Sequence, residues 1–197
     1  MGKNNSNEKD WFEKGLELSR QEKFEEALQC FEKASETDPN DKDIWFEKGS
    51  CFEDLEMYEE ALSCFDRTLK IDPLYKEAWF RKASVLMDLD KSFDALDSYE
   101  KALEIDPLDT NSWFLKGTVL QNLERYDKAI ECYEKALEID PDDTDALSFK
   151  GFNLEKLDSY DEAIECYERA LNMDPNHPYA EIRMKIVLKT LEKKGGL

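Results

Sequence analysis

The sequence is poor in histidine, glycine and proline: of 197 residues, one is His, seven are Gly and six are Pro. The lone His177 has no second ligand at metal spacing and reads as a surface turn residue, so neither a zinc site nor a His-assisted nucleophile is offered. The few glycines form no phosphate-cradling loop and no nucleophile elbow. The acidic run DPDDTD at 140–145 lacks the Gly and the closing Glu of a calcium loop. Basic residues are also scarce, with 27 Lys and Arg against 47 Asp and Glu, a formal net charge of −20. That balance excludes nucleic acid and anionic membranes, which call for a basic stripe. No apolar run approaches the ~20 residues of a membrane span. The opening MGKNNSNEKD has no apolar signal core. No enzyme, cofactor or metal is expected, and a cytoplasmic location is.

What the sequence has is repetition. Trp11, Trp45, Trp79 and Trp113 stand 34 residues apart, and Leu147 fills the fifth place. Pro39, Pro73, Pro107, Pro141 and Pro175, each preceded by Asp, keep the same step, as do Ala27, Ala61, Ala95, Ala129 and Ala163. A fixed period of this length marks a stacked array of identical units. Five units are expected at 8–41, 42–75, 76–109, 110–143 and 144–177. A disordered leader over 1–7 and a flexible tail over 195–197 flank them, and Gly2 with Ser6 fits only a loose acylation pattern.

Within residues 42–75, Trp45, Gly49 and Phe52 share one helical face, as do Ala61, Phe65 and Thr68 further on. Asp54 to Met57 break the phase and suit a turn. Asp72-Pro73 ends the second segment, because the residue before Pro is pushed out of the helical region. Each unit is therefore two antiparallel helices, about 42–54 and 58–70 in this copy, with Gly49 opposite Ala61 permitting close approach. Cys30, Cys64, Cys132 and Cys166 share one slot with Ser98 and read as small packing residues, not a bridged set. Lys14, Lys48, Lys82, Lys116 and Lys150 recur just before the glycine slot, while Glu32, Asp66, Glu100, Glu134 and Glu168 recur in the second helix. The lysine stems are expected to pack inward and the ammonium groups to reach these carboxylates.

The pattern W-x3-G-x2-[LF], then [FY]-x2-A-[LI]-x2-[FY]-x2-[AT]-x4-P, resembles the tetratricopeptide repeat. The resemblance implies an all-α fold, an α-solenoid in which antiparallel helix pairs wind as a right-handed superhelix. It also implies a non-catalytic scaffold that binds a protein or peptide on the concave face lined by each first helix. On that basis the partner-binding residues are Asp43, Phe46, Ser50, Glu77, Phe80, Ser84, Met87, Asn111, Phe114, Thr118 and Gln121. The slot after Trp reads Phe12, Phe46, Phe80, Phe114 and Ser148, an aromatic ladder with acidic edges that serves packing, recognition or both. Four first helices at ~10 Å spacing would present ~40 Å of groove, room for ~12 extended residues. Acidic edges favour a partner carrying Lys or Arg with apolar anchors. The chaperone-tail clamp of some relatives is not reproduced, since only Arg81 fits it.

Two departures carry expectations. In the third unit Ser92 replaces the aromatic found at Phe24, Tyr58, Tyr126 and Tyr160, Phe93 stands next to it, and Ala83 replaces Gly. Either the turn is remodelled to bring Phe93 inward or Phe93 is exposed, and a weaker joint is expected there. Residues 178–194 read as a capping helix with Glu181 and Lys185 in the Trp and Gly slots. Its basic face makes self-association the alternative function, with a second copy of the chain as partner.

Overall fold

The computed structural model describes residues 4–193 and 195, in eleven α-helices and no strand among them. The chain divides into two compact units, residues 1–105 and 106–197. The first holds α1 (Asn4–Arg20), α2 (Phe24–Thr37), α3 (Lys42–Asp54), α4 (Tyr58–Ile71), α5 (Lys76–Asp88) and α6 (Ser92–Ile105). The second holds α7 (Thr110–Asn122), α8 (Tyr126–Ile139), α9 (Thr144–Lys156), α10 (Tyr160–Met173) and α11 (Pro178–Lys193). In each unit every helix packs on the one before and the one after. First helices also touch one another, α1 with α3 and α3 with α5 in unit 1, and α9 with α11 in unit 2, so each unit has its own first-helix layer.

The leader expected over 1–7 is corrected at residues 4–7, which belong to the first turns of α1. Once Trp11 and its face nucleate the helix, each added residue gains a hydrogen bond, and no Gly or Pro stops it. Residues 1–3, with Gly2, lie outside the described residues. So do Lys194 and the last two residues of the expected tail, whose Gly195 sits in a turn at φ +78.

The recurring letters now have separate tasks. Asp72 caps α4 in an extended conformation, and its carboxylate accepts the Leu74 N–H at 3.0 Å. Asp38, Asp106, Asp140 and Asp174 do the same for the amide two residues on, at 2.9–3.2 Å. This Asx turn is why Asp precedes the Pro that closes each repeat. The indole N–H groups of Trp45, Trp79 and Trp113 donate to the carbonyls of Pro39, Pro73 and Pro107 at 2.9–3.0 Å. Trp and Pro thus recur together because one pins the turn made by the other.

Gly49 does not serve by facing Ala61, as the spacing suggested. A Cβ there would meet the Phe65 ring at 2.7 Å and the Cys64 Cβ at 3.2 Å. Gly15 and Gly151 seat Phe31 and Tyr167 equally tightly, and Gly117 seats Tyr133 at 3.0 Å. The helix pair closes on an aromatic ring, one helical turn beyond the small residue. The four slot cysteines are buried and unbridged. Burial pushes the Cys64 thiol up to about 11. Lys48 meets Glu32, Lys82 meets Asp66 at 2.6 Å and Lys150 meets Glu134 at 2.7 Å, each pair joining one repeat to the preceding one. The same Lys48 and Lys82 ammonium groups stand 5.0 and 5.2 Å from the Trp45 and Trp79 rings.

Every turn inside a helix pair has a left-handed residue that is not glycine: Glu22, Glu56, Asp90, Glu124 and Asp158, at φ 57–61. At Glu56 the N–H donates to Glu53 and the next N–H, Met57, to Phe52, so a six-residue closing motif is built on a strained position. Asp90 and Lys91 repeat these bonds to Met87 and Leu86, so the third turn is not remodelled, and Phe93 is 61% exposed. Glu56→Gly should remove the Cβ penalty and raise stability by ~0.5–1 kcal/mol, read as a higher urea midpoint.

Candidate functional site

Within each unit the first helices present residues at 34-residue intervals on a shared layer. None of the eleven sequence-nominated residues is fully buried. In unit 1 these are Asp43, Phe46 and Ser50 on α3, then Glu77, Phe80, Ser84 and Met87 on α5. In unit 2 they are Asn111, Phe114, Thr118 and Gln121 on α7.

Each ring after Trp rests on the aromatic of its own second helix. Centroid distances are 5.9 Å for Phe12–Phe31 and for Phe46–Phe65, 5.8 Å for Phe80–Tyr99 and 5.5 Å for Phe114–Tyr133. One edge of each ring is therefore packing, while the half-buried remainder faces out. The hydroxyls nearby are engaged locally. Ser84 shares a hydrogen bond with Tyr99 Oη at 3.3 Å, and Thr118 with Tyr133 Oη at 3.3 Å. Burial raises both phenols, so they stay neutral across physiological pH.

Asp43 accepts from Tyr75 Oη at 3.0 Å, and Phe46 lies 5.1 Å from the Tyr75 ring. Tyr75 belongs to the turn before α5, so it ties the α3 site residues to the next repeat. The corresponding pair in unit 2 is His177 and Asp145, at 3.1 Å. His177 is corrected by this: it is 6% exposed, its Nδ1 accepts the Ala180 N–H at 3.2 Å, and its Nε2–H faces the carboxylate. A turn position at the start of a helix becomes an interior cap when the preceding repeat covers it.

The ladder shifts by one place in the fifth repeat. Ser148 is buried, and its hydroxyl donates to Thr144 O at 2.8 Å. Phe149 takes over, 5.3 Å from Phe114, 6.0 Å from Tyr133 and stacked on Tyr179 at 5.2 Å. Reading a strict period hid Phe149; the Phe immediately after the vacant slot was its signal. Gln121 Oε1 accepts from Asn153 Nδ2 at 2.7 Å, which turns the Gln121 amino group away from Asn153.

Charge on this layer is paired across repeats by residues 28 apart. Arg81 on α5 meets Glu53 on α3 at 3.2 Å, and Arg183 on α11 makes two bonds to Glu155 on α9. Burial raises the Glu53 carboxyl despite Arg81. Among the described residues no group of His, Cys, Asp and Glu could hold a metal ion. No helix is long and apolar enough to cross a membrane.

No curated protein matches the chain. Among solved structures, YrrB, a tetratricopeptide repeat protein described as having an unusual peptide-binding site, is 26% identical. It superposes with a TM-score of 0.79 over 89% of this chain and 90% of its own. MamA from Desulfovibrio magneticus RS-1 is 25% identical with a TM-score of 0.81, covering 90% of this chain and 99% of its own. A further MamA structure, at 22% identity and TM-score 0.82 over 87% and 93%, shows the fold alone. Profiles of the tetratricopeptide repeat match residues 12–75, 76–109, 110–143 and 144–177 without a gap. With its helix pairs, its Trp–Pro pins and its glycine-seated rings, the chain belongs to the tetratricopeptide repeat family.

Proposed function

We propose that the chain is a non-catalytic adaptor whose first-helix layer receives a segment of another protein. The observation that carries this is the half-exposed ring pair Phe46 and Phe80 in unit 1, matched by Phe114 within unit 2, each set among polar groups already held in place. Rings fixed on one edge and open on the other lose little freedom on binding, which favours affinity. Acidic neighbours at Asp43, Glu77 and Glu53 select a basic segment with apolar anchors by steering it to the surface. The peptide-binding site ascribed to YrrB supports a peptide as occupant. A cytoplasmic location goes with this reading, because thiols placed as packing residues suit a reducing compartment.

The test is selection of a displayed dodecamer library on the wild-type protein. Binders should be rich in Lys or Arg with aromatic or aliphatic residues. Changing Phe46 and Phe80 to Ala together should weaken them at least about tenfold while helix content by circular dichroism is kept. Undiminished binding by that variant removes the groove from consideration.

A second reading, self-association through α11, has one specific observation in its favour. Ile182 and Ile186, one turn apart, are 58% and 42% exposed. Lys185 and Lys189 stand on the same helix, attached to a body of opposite charge. Light scattering over a concentration series decides it: a constant monomer mass rejects self-association.

A further inference from the structure

One half-buried carboxylate on the first helices of unit 1 is bonded to no cation. The slot that reads Arg81 on α5 reads Glu47 on α3. Arg81 finds Glu53 28 residues earlier, but the residue 28 before Glu47 is Ser19, whose hydroxyl approaches Cys51 Sγ at 3.7 Å. Glu47 is half-buried, and it has no hydrogen bond or ion pair among the described residues. The two cations that feel it are committed elsewhere, Arg81 to Glu53 and Arg20 to Glu17 at 3.5 Å. One turn before it, Asp43 adds a second carboxylate whose Oδ1 is held by Tyr75. The Phe46 ring stands beside the pair, 5.1 Å from the Tyr75 ring, which already carries the Lys42 ammonium 4.9 Å from its centroid.

We infer that Glu47 and Asp43, with the Phe46 ring, form a position that reads a cationic side chain, a lysine ammonium or an arginine guanidinium, of the segment bound on unit 1. This rests on the adaptor reading above. A desolvated carboxylate without a partner is costly in the free protein, and a cation supplied by the ligand converts that cost into selectivity. The Phe46 ring beside the carboxylates adds an attraction that acts on cations alone. Burial, more than any charge, raises the Glu47 carboxyl, with Arg81 opposing and Asp43 adding to it. A carboxyl raised in the folded state stabilises below its unfolded pKa and loses that contribution as pH rises through the folded value. At neutral pH, Glu47→Gln therefore costs no stability, and its effect on binding is separable from folding.

The experiment uses the full chain and two acetylated, amidated hexapeptides, one alternating Phe with Lys and one alternating Phe with norleucine. Binding is followed by carboxyl and aromatic NMR signals. The Phe–Lys peptide is expected to move the signals of Glu47, Phe46 and Phe80 and to bind at least about tenfold more tightly than its norleucine analogue. Glu47→Gln should erase most of that preference, while Glu59→Gln, exposed on α4, leaves it intact. If both peptides move the ring signals equally, or if Glu47→Gln and Glu59→Gln act alike, the cation position is refuted and the adaptor reading stands. If neither peptide moves Phe46 or Phe80, both fall.

Discussion

Phe65→Ala is expected to destabilise unit 1 by about 3–5 kcal/mol, the usual cost of removing a fully buried ring. The ring is 0% exposed, it seats on Gly49, and it carries Phe46 at 5.9 Å. Nothing adjacent is positioned to refill the space, because the small residue opposite is the reason the ring fits. The companion change gives the test its sign. In the wild-type background, Gly49→Ala forces a Cβ to 2.7 Å from the ring and should lower stability. In the Phe65→Ala background, the same change should raise it by up to ~1 kcal/mol, the helix preference for Ala over Gly. Urea midpoints of the four proteins measure the coupling. Additive effects would show that ring and glycine are not a unit. In the third repeat Ala83 holds the glycine place, and both it and Tyr99 are buried, so that helix pair accommodates a Cβ there.

Arg183→Ala should cost about 2–4 kcal/mol at the C-terminal end of unit 2. Glu155 keeps only 14% of its side chain exposed, and Arg183 makes two hydrogen bonds to it. Removing the guanidinium leaves a half-dehydrated carboxylate with only the Tyr167 hydroxyl at 3.4 Å. It also takes a cation from 4.9 Å above the Phe152 ring. Breaking such a pair is dearer than replacing it whole. The double change Glu155→Leu with Arg183→Leu should therefore lie within about 1 kcal/mol of wild type. Thermal unfolding of the single and double variants decides the matter. A single variant as stable as the double would mean that the pair is a solvated surface contact worth under ~1 kcal/mol.

These two results bear on different parts of the sequence reading. The ring and its glycine were visible as letters, and only their partner was misassigned. A period says which residues share a face, but not which turn of the opposing helix they meet, since crossing distance depends on side-chain volume. The Arg–Glu pair left only a broken periodic trace, Glu53 with Arg81 and again Glu155 with Arg183. It joins α9 to α11 through an Arg slot and a Glu slot that hold those residues in only two repeats each, and a charge in an acidic repeat looks like any solvated residue until a neighbour covers it. Glu47 was concealed in the same way. Its want of a partner is a statement about Ser19, Arg20 and Arg81, which stand on two other helices. Phe149 and His177 slipped past because exact periodicity was trusted where the fifth repeat departs from it. The strained turn residues gave no signal either, since acidic side chains occupy positions where glycine would have marked the turn.

The amino-acid sequence alone determined that this chain is helical, that its helices come in pairs of 34 residues, and that one face of each first helix carries an aromatic. Those properties follow from local periodicity and turn chemistry, which every repeat states again. Tertiary structure alone decided which carboxylates are matched and which is left over, which edge of each ring stays open, and that the one histidine is interior. Burial and charge pairing depend on what the neighbouring helices bring within a few ångströms, and that depends on packing, not on order along the chain.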